Sequence, residues 1–359
     1  MTSTKQLVGV RSGQVMTVLG PISVEALGIT LMHEHILLDT SSWWRRPCCV
    51  TDIAFAERPL DISMLGELRL NPFLNRDNCG LFDSEAAIEE LLRFVELGGR
   101  TVVDPTNLGI GRDPAALQRI SRRTGLNIVM GAGFYLEPSH PEYLKAMSVD
   151  DIARQIAGDC GALDEQPEVC AGLIGEIGIS KDFTAAEEKV LRGAARAEKL
   201  AGVPLSIHLP GWERHAHRVL DVIEEEGSDL RHTVLCHMNP SLHDRQYQRS
   251  VADRGAFLEY DMIGMDYFYA DQQAQSPCDE ENAIAIRALI DDGYLNSILV
   301  SQDVFLEMML TRYGGFGYGY ILKHFVPRLR RHGVDAAIID RILVDNPRRV
   351  FSASHRDAP

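Results

Sequence analysis

Residues 30–35 read Thr-Leu-Met-His-Glu-His, an apolar start that ends in two histidines two positions apart. In an extended strand, residues i and i+2 point to the same side, so the rings of His33 and His35 can reach one ion together. The same spacing also describes two polar residues that merely end a strand. The rest of the chain decides between these readings.

Working outward, short apolar runs rich in Val, Ile, Leu and Thr recur at 30–35, 101–106, 127–135, 173–180, 204–210, 232–240, 256–264 and 297–305. They lack polar alternation, as strands buried on both faces of a parallel sheet do. Helical stretches lie between them. Thr184-Ala-Ala-Glu187 and Ser148-Val-Asp-Asp151 are capping boxes, and the amphipathic stretches 83–99 and 212–227 each close on glycine. Strand and helix alternate through the chain, which predicts an α/β fold of the (β/α)8 TIM-barrel type or a doubly wound open sheet.

The polar residues separate the two folds. Glu176 lies in LIGEIGIS, His208 in PLSIHLP, His237 in HTVLCHMNP and Asp303 in SILVSQDVF. Each sits near the C-terminal end of its own predicted strand, where barrels build their sites. An unpaired carboxylate in a run as apolar as that around Glu176 is costly, and a lone strand histidine is ordinarily a hydrogen-bonded core residue. Their joint placement favours a barrel in which His33, His35, Glu176, His208, His237 and Asp303 hold two divalent metal ions with a bridging carboxylate. His215-Ala-His217 repeats the HxH spacing on a predicted helix, where i and i+2 diverge. His232 and His243 flank the sixth strand, and none of these four is read as a ligand.

Composition narrows the partners. The 359 residues carry 36 basic and 51 acidic side chains, a net charge of -15 that disfavours nucleic acid and anionic membranes. No apolar stretch is long enough to span a bilayer, and the first residues lack a secretory signal's apolar region. Seven cysteines without framework spacing fit a reducing cytoplasm. We read one domain over 1–359, with a small hairpin within 7–29, long active-site loops at 36–82 and 265–280, and a frayed tail. A homodimer is the default expectation.

HEH on the first strand, GEIG on the fourth, single histidines on the fifth and sixth and an aspartate on the eighth resemble the phosphotriesterase-related family of the amidohydrolase superfamily. Within it, the chain resembles the resiniferatoxin-binding, phosphotriesterase-related branch, and the likeness runs through NPRRVF at 346–351. The resemblance implies that His33, His35 and Asp303 bind a buried metal and His208 and His237 a more exposed one, with a carboxylate and a hydroxide bridging them. Well-known members bridge with a carboxylated lysine, and Glu176 stands in that place here. Zinc is the expected metal, with Mn, Co or Fe as alternatives.

On this reading a metal-bridging hydroxide attacks the substrate while Asp303 shuttles the proton. Asp104 either orients a metal-bound histidine or caps its own loop. Trp43, Trp44, Tyr135, Met265, Phe268, Tyr269 and Phe305 project from the presumed catalytic face and suggest a pocket for an apolar or aromatic small molecule, although some pack the loops together. Tyr135, after GAGF, resembles a tyrosine that related lactonases place beside their metals. Arg45 and Arg46 either hold a substrate carboxylate or are solvated. A carboxylic ester or lactone is the first expectation for the substrate, a phosphotriester the second and an amide the third. A binder of apolar ligands that has lost catalysis is the non-enzyme alternative.

Overall fold

The computed structural model describes residues 13–163 and 167–352. The predicted tail, and the first part of the stretch assigned to the hairpin, lie outside these residues. Eight parallel strands succeed one another in chain order: β1 (Thr30–Leu31), β2 (Thr101–Asp104), β3 (Asn127–Ala132), β4 (Leu173–Gly178), β5 (Leu205–His208), β6 (Thr233–Leu235), β7 (Phe257–Tyr260) and β8 (Ile298–Val300). The seam between β8 and β1 is closed by the residues that follow them. Asp303 N–H donates to the His33 carbonyl at 3.1 Å, and His35 N–H donates to Val304 at 3.2 Å. The result is a nearly closed (β/α)8 barrel.

All eight predicted runs form strands, but the ladders of β1, β6 and β8 stop before the ligand-type residues that follow them, whereas Asp104, Glu176 and His208 lie within β2, β4 and β5. His237 and Asp303 adopt positive φ values of 58° and 48°, a conformation that cannot continue a strand. Helices follow the sequence signals closely. Thr184 and Ser148 make both halves of their capping boxes, opening Ala185–Ala201 and Val149–Asp159. The stretch expected to be helical from residue 212 instead begins its helix at Ala216, because Gly211 and Trp212 line the central cavity.

Strand residues alternate between two apolar layers. Leu31, Val102, Ile128 and Leu258 join the large layer between strands and helices. Met32, Val103, Val129, Leu173, Val234 and Leu299 turn inward and form a separate cluster with Val15 of the N-terminal hairpin and Phe351 of the last helix. The barrel is therefore a packed core plugged at its N-terminal end, and the open end lies where the strands finish.

The two long connections are folded. In 36–82, Leu38–Asp39 pairs with Gly80–Leu81, and Val50–Ala56 is helical. In 265–280, Phe268–Tyr269 pairs with Ala274–Gln275. Phe268 N–H donates to Arg69 at 2.8 Å, which ties the second connection to the first. Among the described residues no helix is long and apolar enough to cross a membrane.

At the plugged end, a Cβ on Gly172 would lie 2.2 Å from the Met16 carbonyl of the hairpin. Gly172→Ala is expected to cost about 2 kcal/mol by overpacking, read by urea denaturation, with turnover per folded molecule unchanged.

Candidate metal centre

Glu176 is the middle of the site. The pairing of β4 with β5 shifts register between Ile174 and Ile177, and this irregularity sets Glu176 among the imidazoles. Its oxygens lie 3.3 Å from His35 Nε2, 3.1 Å from His208 Nδ1, and 3.6 Å from both His33 Nε2 and His237 Nε2. Asp303 Oδ1 is 3.4 Å from His35 Nε2 and 3.6 Å from His33 Nε2. The six residues proposed from the sequence are thus brought together from the ends of four strands, β4, β5, β6 and β8, and the segment after β1. Separations of this size suit donors that share a cation with bonds of about 2.0–2.2 Å.

Orphaned atoms support that fit. His33 Nε2 and Asp303 Oδ1 are buried and have no hydrogen-bond partner, although buried polar groups are nearly always paired. His33, His35 and Asp303 form one group whose ligand atoms lie within 4.8 Å of one another, and His33, Glu176 and His237 form another. His208 Nδ1 is 2.7 Å from His237 Nε2.

The protonation balance reflects the same crowding. Burial alone would raise the Glu176 carboxyl, but His33, His208, His237 and His35 hold it well below the ordinary carboxylate range. Asp303 is likewise lowered against burial, by His33, His35 and His237. Burial opposes charge on His35, yet Asp303 and Glu176 push it up to about 9. At His237 burial is outweighed by Asp261, and the pKa rises to about 10. His208 is lowered by burial and by its neighbour His237. Protons on the imidazoles here occupy the electrostatic place of cations, and metal binding would displace them.

Supports outside the six residues aim them. Thr106 Oγ1 lies 2.7 Å from His35 Nδ1, which leaves Nε2 facing the two carboxylates. Asp104 does not contact a histidine directly. It accepts N–H bonds from Thr106 at 3.0 Å and Ile36 at 3.3 Å, the loop-capping alternative, and Thr106 in turn meets His35. Glu34, passed over in the sequence, is buried and accepts from Gln302 N–H at 2.8 Å and Val304 N–H at 2.9 Å, bracketing Asp303 on both sides. Also missed were Glu259 and Asp261 behind the histidines. The signal was available: two carboxylates at i and i+2 in the apolar run FLEYD follow the logic applied to HEH and to Glu176.

Above the centre opens a cavity of roughly 570 Å³. Trp43, Tyr135, Tyr269 and Phe305 line it as expected from the sequence, joined by Phe73, Trp212 and Met262, which the sequence reading did not name. Trp43 stacks on Phe73 at 5.4 Å, and Trp212 meets Tyr269 at 5.2 Å. Three other candidates lie outside the lining. Phe268 precedes Tyr269 in a strand and so points to the opposite side. Met265 is fully buried and accepts a bond from the Tyr269 hydroxyl at 3.3 Å. Trp44 packs under the Arg76 guanidinium. Arg45 reaches the cavity wall but donates to the Ser42 and Trp44 carbonyls, and Arg46 pairs with Glu57 at 2.8 Å. The discounted histidines lie apart: His215 meets the Lys181 carbonyl, His217 meets Ser250, His232 meets Glu198 and His243 meets Glu281.

Comparison with known proteins agrees with this geometry. N-acetyltaurine hydrolase of Tetraodon nigroviridis is 36% identical over 342 residues, covering 94% of this chain and 97% of that protein. The crystal structure of a resiniferatoxin-binding protein from Rhodobacter sphaeroides superposes with a TM-score of 0.92 at 57% identity, covering 97% of each chain. A lactonase from Listeria monocytogenes superposes with a TM-score of 0.75 at 26% identity, covering 94% of this chain and 98% of its own. The model of the phosphotriesterase family, whose enzymes use a binuclear metal centre, matches residues 13–351, and the chain belongs to that family of hydrolases.

Proposed function

We propose that this protein hydrolyses a carboxylic acyl bond in an apolar small molecule, with an N-acyl amide as the first candidate and a lactone or other ester as the second. The observation that carries the reading is a single cavity with four imidazoles and two carboxylates at its floor and aromatic rings on its walls. The amide moves ahead of the ester expected from sequence because relatives over 94% of the chain bear an amide hydrolase's name. The lactonase is a more distant relative at 26% identity. Aromatic walls and a volume of roughly 570 Å³ favour a bulkier, less polar substrate than N-acetyltaurine.

In this reading His33, His35 and Asp303 would hold one divalent ion and His208 and His237 the other, with Glu176 supplying a further carboxylate to the centre. When bound, the two ions supply Lewis acidity and an acidified water. Asp303, held ionised by the imidazoles beside it, accepts a proton and passes it to the leaving nitrogen or oxygen. The Tyr135 hydroxyl stands 3.4 Å from the His208 ring, and burial keeps it protonated, so it serves as a donor to the substrate carbonyl. Trp43, Phe73 and Trp212 shape the apolar part of the pocket and exclude water from it. A binder without turnover is the second reading, favoured by the name of the Rhodobacter protein. The complete set of ligand-type residues argues against it.

Proton release and product formation on N-acyl amides, lactones, aryl esters and phosphotriesters test the proposal. Turnover of an apolar amide supports it, turnover confined to phosphotriesters sinks it, and tight ligand binding without turnover favours the second reading. Chelation is expected to abolish turnover and lower the melting temperature, with both restored by adding zinc, because the six ligand-type residues lose their cations. Asp303→Asn is expected to cut kcat by about 10³-fold with the fold retained on circular dichroism. Trp43→Ala is expected to raise KM about tenfold for bulky substrates and leave kcat for small ones unchanged, measured by steady-state kinetics.

A further inference from the structure

Glu259 in β7 and Asp261, the first residue after it, are two fully buried carboxylates at i and i+2. Both point at the rear of the metal-facing histidines. Asp261 accepts the His237 backbone N–H at 3.0 Å and lies 3.1 Å from its Nδ1. The same carboxylate lies 3.5 Å from His33 Nδ1. Glu259 lies 3.6 Å from His33 Nδ1 and accepts the Cys236 thiol at 3.4 Å. The front nitrogens of the two histidines face Glu176, and the rings stand only 5.2 Å apart. His33 and His237 belong to different ions in the centre proposed above. One carboxylate therefore stands behind both.

We propose that Asp261 is a positioning residue shared by both metal sites, and that Glu259 serves only the site that contains His33. A carboxylate behind a ligating imidazole fixes which nitrogen carries the proton, orients the ring and makes the other nitrogen a better donor. Losing such a partner ordinarily weakens one ion by about 10–100-fold. Here the loss of Asp261 disturbs an imidazole of each site at once, whereas the loss of Glu259 leaves His237 with its partner. The orphaned Nδ1 of His33, buried between the two acids with no hydrogen-bond partner, is the atom this arrangement serves. His33, Cys236, Glu259 and Asp261 also place ligand atoms within 4.8 Å of one another, so a third cation on these four is the competing occupant.

The test counts ions. Full-length wild type, Asp261→Asn and Glu259→Gln are loaded with zinc, dialysed against graded chelator and assayed for metal per chain. Wild type is expected to hold two ions, Asp261→Asn to release both at about 10–100-fold lower chelator, and Glu259→Gln to release one early and keep the other. Melting temperatures of the metal-loaded and metal-free forms distinguish positioning from general damage, since positioning lowers the loaded form more. Retention of either ion at wild-type affinity in Asp261→Asn overturns the proposal, as do three ions in wild type. Should Asp261→Asn fail to fold, Glu259→Gln decides: early release of one ion supports the assignment, and release of both or neither overturns it. The inference rests on the two-ion centre and not on the reaction. Wild type with two ions and no turnover sinks the proposed activity and leaves this inference standing, whereas wild type without ions overturns both.

Discussion

Glu176 and Asp303 are buried carboxylates among four imidazoles, and a group of this kind is stable in an apolar barrel only with positive charge between its members. Much of the open end follows from this constraint. The barrel seam is closed by the residues that carry the donors: the Asp303 amide bonds to the His33 carbonyl, and Glu34 accepts from the amides on either side of Asp303. Assembling the ligands and closing the barrel are the same structural event. The opposite end is sealed by the hairpin and the last helix with apolar side chains, and polar demands are concentrated where the strands finish.

The parts of this design that obey a local rule were legible in the sequence. Capping boxes at Thr184 and Ser148, apolar runs of strand length and ligand-type residues at the ends of five of those runs gave the barrel and the six central side chains. The ladders end sooner than the apolar runs because His237 and Asp303 turn into positive φ to aim their side chains, and that depends on partners far away in sequence. Glu34, Glu259 and Asp261 escaped notice for a related reason. Each acts on a histidine or a backbone amide of another strand, so although the carboxylates of FLEYD were readable as unusual, the group each one serves appears only once the barrel brings those strands together.

The loops were less legible. Aromatic content correctly indicated an apolar pocket, but orientation separated neighbours of the same chemistry: Tyr269 faces the cavity and Phe268 does not, Trp43 lines it and Trp44 lies under Arg76. The turn and hairpin geometry that decides these pairs is set by contacts between the two long connections, such as the bond from Phe268 N–H to Arg69. Phe73 and Trp212 were missed because one lies deep in an irregular stretch and the other in a segment whose apolar pattern imitates the start of a helix.

This separation of roles bears on how far a relative's substrate can be transferred. The barrel and the histidines at its open end are anchored by buried, mutually dependent contacts that tolerate little change. The cavity wall is built by Trp43, Phe73, Trp212, Tyr269 and Phe305, drawn from four separate loops that pack mainly on one another. A substitution in such a wall alters what fits without disturbing the charges at the floor. Relatives that share the floor can therefore act on different acyl compounds. For this chain the apolar wall, more than the name of any one relative, is the physical guide to the molecule it takes.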